Sequence, residues 1–310
     1  IFILRMKMIQ GEEYIMTLLS YQVFMAVVEQ ESFQKAAQVL QLTPSAISHA
    51  VAGMESELGF PLFIRSKQGV YLTNYGKELF PYIKNVLNSD EYLHQAVAQF
   101  NGLQKGVVRV GVFNSACVEW MPSLLKGFEQ EYPNVQLDIY QGTYDDVYHW
   151  LKDGVVDVGF LSASSVGELA NDPIYKDRIV CVVPKDFKTE HPGYITIEEL
   201  KKQHFVTQRE GCDADVNNVM TKYGLPGGGG SYIVDDMSAI SLVMGGYGVC
   251  LVPELVMRKM PFPVDIYPLE VQEERTIVLA YARGDVFAPA VSRVREYILE
   301  QFEGELNHEV

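Results

Sequence analysis

Long hydrophobic runs are missing from this sequence of 310 residues. No apolar stretch reaches the ~18 residues that mark a membrane-spanning helix. Ile1–Met8 is apolar but short, carries Arg5 and Lys7, and lacks the small-residue cleavage site of a signal peptide. Cysteine is scarce: Cys117, Cys181, Cys212 and Cys250 are scattered, with neither metal-ligand spacing nor a dense disulfide framework. The six histidines show no ligand spacing either, and Ser115 has no evident catalytic partner, so neither a metal centre nor an enzyme is expected. Gly227–Gly230 is followed by no phosphate-loop pattern, and no cofactor is implied. Positive charge is short as well. Lys and Arg number 25 against 40 Asp and Glu, a formal net of −15, which excludes a generic nucleic-acid binder because phosphate neutralisation needs local basic charge. What remains is a chain with 48% hydrophobic residues, enough for two or three cored domains. A cytoplasmic setting with reduced thiols fits these absences, and no membrane partner is expected.

Ile1 is no initiator, and of the early methionines Met16 fits a start best, because an amphipathic helix begins just after it. Residues 1–15 are therefore expected to be a non-native or upstream-derived extension.

Within Leu18–Val28, apolar Leu19, Val23, Ala26 and Val27 recur at helical spacing. Ser32 can cap a second helix over Phe33–Leu40, and Gln41-Leu42 make a tight turn. Thr43 then supplies an N-cap and Pro44 a first helical residue whose missing N–H would in any case be orphaned. The third helix is predicted over Pro44–Leu58, stopped by Gly59. Two helices joined this way make a helix-turn-helix, and the second carries Ser45, Ser48 and His49 near its start, small polar groups able to reach base edges in a major groove. Leu62-Phe63 and Tyr71-Leu72 flank Ile64–Val70, which reads as a β-ribbon wing with Arg65 and Lys67 on the phosphate backbone.

These residues resemble the LysR-type regulator signature. Ser32-Phe33, Ala36-Ala37 and Leu40 match its first run, and Thr43, Ala46, Ile47 and Ser48 its second. Met54-Glu55, Leu58-Gly59, Leu62-Phe63, Arg65 and Leu72-Thr73 complete it at the right spacing. The resemblance implies an N-terminal winged helix-turn-helix that binds double-stranded DNA. Its DNA-contacting set would be Ser32, Thr43, Ser45, Ser48, His49, Arg65 and Lys67. The departures are electrostatic. Family members often carry Arg in the second half of the recognition helix, where this chain has His49, Ala50, Ala52 and Gly53. Across residues 16–73, Lys35, Arg65 and Lys67 face Glu29, Glu31, Glu55 and Glu57, a net of −1, so binding should lean on dimer avidity.

A long helix is predicted over Asn74–Leu103, capped by Thr73 and kinked near Pro81. Leu79, Ile83, Val86, Leu93, Val97 and Phe100 follow alternating steps of four and three, with Asp90 filling the remaining position, the pattern of a two-helix seam. The family resemblance implies dimerisation through this helix, and a tetramer beyond it.

From Gly106 onward strand and helix patterns alternate, the mark of an α/β protein. Strands are predicted at Val107–Val112, Gln136–Tyr140, Val156–Leu161, Ile179–Val183, His204–Thr207, Ser231–Val234, Val249–Val252 and Thr276–Tyr281. Helices are predicted over Glu119–Glu131, Tyr144–Lys152, Asp213–Tyr223, Ser238–Gly245 and Phe287–Phe302, with another near Ile197–Lys201. The arrangement, with Gly245–Val249, resembles the two-lobed periplasmic-binding-protein fold of LysR-type effector domains. The expected division is 16–73 for DNA binding, 74–104 for the linker helix, and 105–310 for the effector domain. Lobe I would span about 105–175 and 275–310, and lobe II about 176–274. Ligands in such lobes bind beyond strand C-termini. That points to Asn114, Ser115 and Ala116, to Thr143, to Ser162, and to Thr207, Gln208 and Arg209, as a site for a small, anionic effector.

Two other readings compete. Cys212 falls where peroxide-sensing members of the family keep a reactive cysteine, near a helix N-terminus. Their second cysteine lies about nine residues later, where this chain has Thr221, so the local disulfide cannot form. The other reading is a ligand-binding protein whose helix-turn-helix serves only assembly.

Overall fold

Thr17 accepts a hydrogen bond from the Ser20 backbone N–H while the Ser20 side chain reaches back, a capping box that starts α1 (Leu18–Gln30). The structure, a computed structural model, describes residues 16–100, 105–209, 212–227, 233–259, 261–282 and 288–306. Residues 1–15, and the expected end of the linker helix at 101–103, lie outside them. Ser32 accepts from Lys35 N at 3.3 Å to open α2 (Phe33–Val39). Gln41 takes φ 54°, and Thr43 accepts from Ala46 N at 3.1 Å to open α3 (Pro44–Leu58). Gly59 closes α3 at φ 80°, a left-handed conformation that an L side chain rarely adopts. Phe24, Val27, Ala36, Ile47, Val51 and Met54 are fully or almost fully buried together, so the three helices share one apolar core. β1 (Phe63–Ser66) and β2 (Gly69–Leu72) pair antiparallel as the wing.

α4 (Asn74–Phe100) follows, with Pro81 inside it and Thr73 accepting from Gly76 N. Here the seam expectation needs correcting. Ile83 is only 4% exposed and packs, with Leu79, Phe80 and Leu87, into the helix-turn-helix core of its own chain. An intramolecular partner therefore exists for the first half of the helix. Val86, Leu93, Val97 and Phe100 stay exposed, as does Tyr82, which the heptad assignment passed over.

By contact density the chain divides into residues 1–91 and 92–310. The second unit contains β3 (Gly106–Phe113), α5 (Asn114–Glu131), β4 (Val135–Gly142), α6 (Tyr144–Lys152), β5 (Val158–Ser162) and β6 (Ala170–Pro184). It continues with α7 (Ile197–Lys201), α8 (Ala214–Tyr223), α9 (Asp236–Met244), β7 (Cys250–Pro253), β8 (Val264–Pro268), β9 (Glu274–Tyr281) and α10 (Pro289–Gln301). Strand order is β4-β3-β5-β9-β6-β7, with β8 also on β6. β4, β3 and β5 run parallel, whereas β9 is antiparallel to both β5 and β6.

β6 is one 15-residue strand, not the short strand expected from Ile179. It pairs with β9 up to Arg178↔Glu274, then with β7 from Ile179↔Pro253, and so belongs to both lobes. Its alternation serves two cores in lobe II. Cys181 and Val183 face α7 and α8, while Val180 and Val182 face α9. α5 begins five residues earlier than expected, directly at the end of β3, and β8 was not anticipated at all. The strands expected at His204–Thr207 and Ser231–Val234 reduce to single bridges, Phe205↔Val249 and Gln208↔Ile233, with 231 and 232 outside the described residues. Among the described residues no helix is long and apolar enough to cross a membrane.

Candidate nucleic-acid interface and interlobe cleft

On the DNA-reading side the expected residues occupy one stretch of α3 and the wing. Ser45 and His49 are exposed and Ser48 is half-buried. The hydroxyls of Thr43 and Ser45 lie 3.0 Å apart at the helix start. Arg65 donates to Ser48 Oγ at 3.3 Å, and its guanidinium sits 4.3 Å from the centroid of the Phe33 ring. Sequence reasoning gave Ser48 to bases and Arg65 to phosphates as separate readers, but in the free protein they touch. Lys67 is exposed in the turn, where Gln68 N and the Gly69 carbonyl both engage the Ser66 hydroxyl. Ser32 holds its cap, and its oxygen is committed to Lys35 N.

In the second unit, Asn114, Ser115, Thr143, Gln208 and Arg209 line one cleft of about 530 Å³. That size suits a small-molecule site. Three expected residues are absent from its walls. Ala116 and Ser162 are fully buried in lobe I, and Ser162 Oγ accepts from the Ser164 backbone N–H and hydroxyl. Thr207 borders a separate void of about 10 Å³ behind Gln208, with room for at most one water. Thr143 does line the cleft, but its hydroxyl donates to Asp146 at 2.7 Å in the capping box of α6.

The floor of the cleft is Arg275, which sequence reasoning missed. It is 3% exposed, and its Nε and Nη2 donate to Asp177 Oδ2 at 2.9 and 2.7 Å. Nη2 also donates to Ser115 Oγ at 2.9 Å and Nη1 to the Tyr144 hydroxyl at 2.5 Å. The Phe113 ring lies 5.0 Å from the guanidinium. Asp177 accepts the Leu255 backbone N–H as well, so the pair ties β6 and β9 to the turn after β7. Burial alone would lower the pKa of Arg275, yet Tyr144, Asp177 and Asp213 together hold it above its ordinary value. The missed signal was legible: alternation along Arg275–Leu279 puts Arg275 on the same face as buried Ile277 and Leu279.

Asp213 and Asp236 also line the cleft, at 8% and 9% exposure. Asp213 caps α8, its Oδ1 accepting Asp215 N and Val216 N at 3.1 and 3.0 Å. Burial is the largest influence on it, opposed by Arg275 and Val216 N–H and assisted by Asp215 and Asp236, and pushes its pKa up to about 7. Burial likewise raises Asp236, against Arg275 and the side-chain hydrogen bonds of Gln208 and Asn114.

Cys212 lines the cleft too, without a thiol partner: the four cysteines are free, and Cys181 and Cys250 are buried in lobe II. Thr221, where the second cysteine would stand, donates its hydroxyl to Asn217 O. A thiol switch is not favoured.

Known families match both units. The bacterial regulatory helix-turn-helix protein, lysR family, matches residues 18–77, and the LysR substrate binding domain matches residues 101–303. The HTH-type transcriptional regulator YvbU of Bacillus subtilis is 29% identical over 260 residues, covering 84% of this chain and 89% of YvbU. GltC of the same organism, named a transcriptional dual regulator, is 26% identical over 289 residues, covering 90% of this chain and 95% of GltC. In fold, the chain is similar to a full-length OxyR variant from Pseudomonas aeruginosa, with TM-score 0.72, 18% identity, and 93% and 98% of the two chains covered. It is also similar to full-length CbnR complexed with its target DNA, with TM-score 0.65, 19% identity, and 92% and 99% covered.

Proposed function

The chain belongs to the LysR family of helix-turn-helix transcriptional regulators, and from that premise we propose that α3 and the wing read an operator while a small effector held in the interlobe cleft sets their grip on it. The observation that carries the DNA reading is the row Ser45, Ser48 and His49 at the start of a capped helix, beside Arg65 and Lys67 of the wing. With so few cations, phosphate contacts fall to Arg65, Lys67, hydroxyls and backbone N–H groups. In this reading residues 16–73 bind DNA, 74–104 link, and 105–310 bind effector, with no catalytic step. A cytoplasmic location goes with that role.

Low charge makes a second copy necessary. The exposed stripe Tyr82, Val86, Leu93, Val97 and Phe100 on α4 is the surface a partner copy would cover, because exposed apolar residues at steps of four, seven, four and three lie on one helix face and form a helix-pairing seam. Gel-shift titration of the full chain on its own upstream DNA tests the proposal. We expect retardation that random DNA of equal length does not give at the same salt, and sedimentation as a dimer or larger. Equal affinity for the two DNAs would overturn the regulator reading in favour of a ligand-binding protein whose helix-turn-helix serves only assembly.

A further inference from the structure

We propose that the interlobe cleft takes a small zwitterion of amino-acid type, with its protonated amine on Asp213 and Asp236 and its carboxylate between Arg209 and the N-terminus of α5. The inference rests on the reading that this cleft is the effector site, and it adds the chemistry of the ligand. The charges inside are not balanced. Arg275 is the only buried cation among the described residues, and its donors go to Asp177, Ser115 and Tyr144. Asp177 therefore consumes the guanidinium, and Asp213 and Asp236 remain buried in the same cleft with no cation of the described residues bonded to either. Asp213 Oδ1 is occupied by the α8 cap, while its Oδ2 accepts no hydrogen bond from the described residues. Two desolvated carboxylates that repel each other in one cleft are costly.

A proton or a cation relieves this. Among the described residues, no group of three or more His, Cys, Asp or Glu is disposed to hold a metal ion, and a ligand ammonium, with three N–H donors, is the cation that suits two carboxylates. A purely anionic ligand would bring a further negative charge to a cleft already lined by Asp146, Asp213, Asp235 and Asp236. The other end of the ligand is anionic for separate reasons. Arg209 is exposed on the cleft wall and forms no ion pair with a described residue, and α5 begins there with no side chain capping its first N–H groups. The anionic group expected from the sequence is thus kept, joined to an amine.

The test uses the full chain near neutral pH. Thermal shift and isothermal titration are run with the proteinogenic amino acids, and each binder is compared with the deaminated acid of the same skeleton. We expect at least one amino acid to bind at micromolar to millimolar concentration, and its deaminated counterpart to bind at least about tenfold more weakly, the loss of a charge-assisted hydrogen bond. Asp213→Asn keeps the α8 cap, since Asn caps as well as Asp, and should weaken binding about ten- to a hundredfold. Because Asp213 is partly protonated when the cleft is empty, titrations in phosphate and in Tris should differ by protons released on binding, a difference that D213N removes. Failure of every amino acid to bind at millimolar concentration overturns the inference. So does binding of the deaminated acids with equal affinity; if Asn114→Phe, which fills the cleft, then blocks them, the cleft remains the effector site. An amino acid that binds N114F as well as the wild type sits elsewhere, and both readings fall.

Discussion

Every charged side chain buried among the described residues lies in 92–310; in 16–91 the buried polar groups are only Ser20 and Asn88. The two regions are thus held together by different physics. The helix-turn-helix unit is an apolar core with capped helices, a construction that tolerates surface change and keeps one shape. The effector half buries Arg275, Asp177, Asp213 and Asp236 around a cleft, where each charge depends on its neighbours. A region built this way is sensitive to what enters it. Ligand binding then couples to conformation through differential affinity, which a close-packed apolar core of fixed shape does not offer.

The sharpest way to break that comparison is Arg275→Met. It leaves Asp177, Asp213 and Asp236 buried without a counter-charge, and we expect a loss of about 3–5 kcal/mol in the unfolding of the effector half. Chemical denaturation followed through the two tryptophans measures it, because Trp120 and Trp150 both lie in that half. A loss below about 1 kcal/mol would mean the cleft charges are screened in solution and the contrast is false. On the other side, Ile83→Ala should cost the helix-turn-helix unit about 2–4 kcal/mol, since it removes a 4%-exposed side chain from an apolar core. Leu93→Ala, on an exposed part of the same helix, should cost the monomer less than about 0.5 kcal/mol while shifting sedimentation toward monomer. If I83A dissociates the protein as readily as L93A and destabilises neither unit, Ile83 belongs to the seam after all.

How much of each region could be read in the sequence follows the same division. Thr43 caps, Pro44 starts and Gly59 stops α3 through contacts no more than four residues long, so bounds of Pro44–Leu58 were legible to the residue. The cleft is closed by Arg275 to Ser115 and Arg275 to Asp177, partners 160 and 98 positions apart, which no local pattern announces. Asn114, Ser115, Thr143, Gln208 and Arg209 were reachable because strand ends and helix starts can be read locally. Ala116, Ser162 and Thr207 were drawn in by the same rule, but side-chain direction sent them into cores or a separate void. α4 went half wrong for a related reason. A heptad pattern reports an apolar stripe, not whether its own chain or another copy covers it.

A gentler probe of the contrast is pH. The folded pKa of Asp213, about 7, lies above its ordinary 3.8, so between these values the native state holds more protons than the unfolded chain. Stability from this group is full at acid pH and is lost as pH rises through about 7, with a slope of at most about 1.4 kcal/mol per pH unit. Arg275 opposes the shift, while Asp215 and Asp236 promote it. D213N should flatten this part of the stability profile relative to wild type. Glu199, Asp265 and Glu273 have lowered pKa values and pull the other way, so the difference between the two profiles is the quantity to measure.

The smallest expected effect concerns whether the two DNA-reading residues act separately. Arg65 is exposed, so its bond to Ser48 adds little to folding, but it fixes where the guanidinium waits before DNA arrives. The Phe33 ring beneath it restricts the same side chain. Ser48→Ala should therefore do two things at once: change preference among operator variants, and free Arg65 to rotate. Arg65→Ala should weaken binding to all sequences and lower the salt slope by about one. In a double-mutant cycle on operator DNA we expect the two losses to fall short of additive by about 0.5 kcal/mol, because either change alone already dissolves the pair. Strict additivity would mean that Arg65 leaves Ser48 on binding and takes a phosphate with no help from the recognition helix. The contact would then belong to the free protein alone, and even the rigid half would rearrange to read DNA.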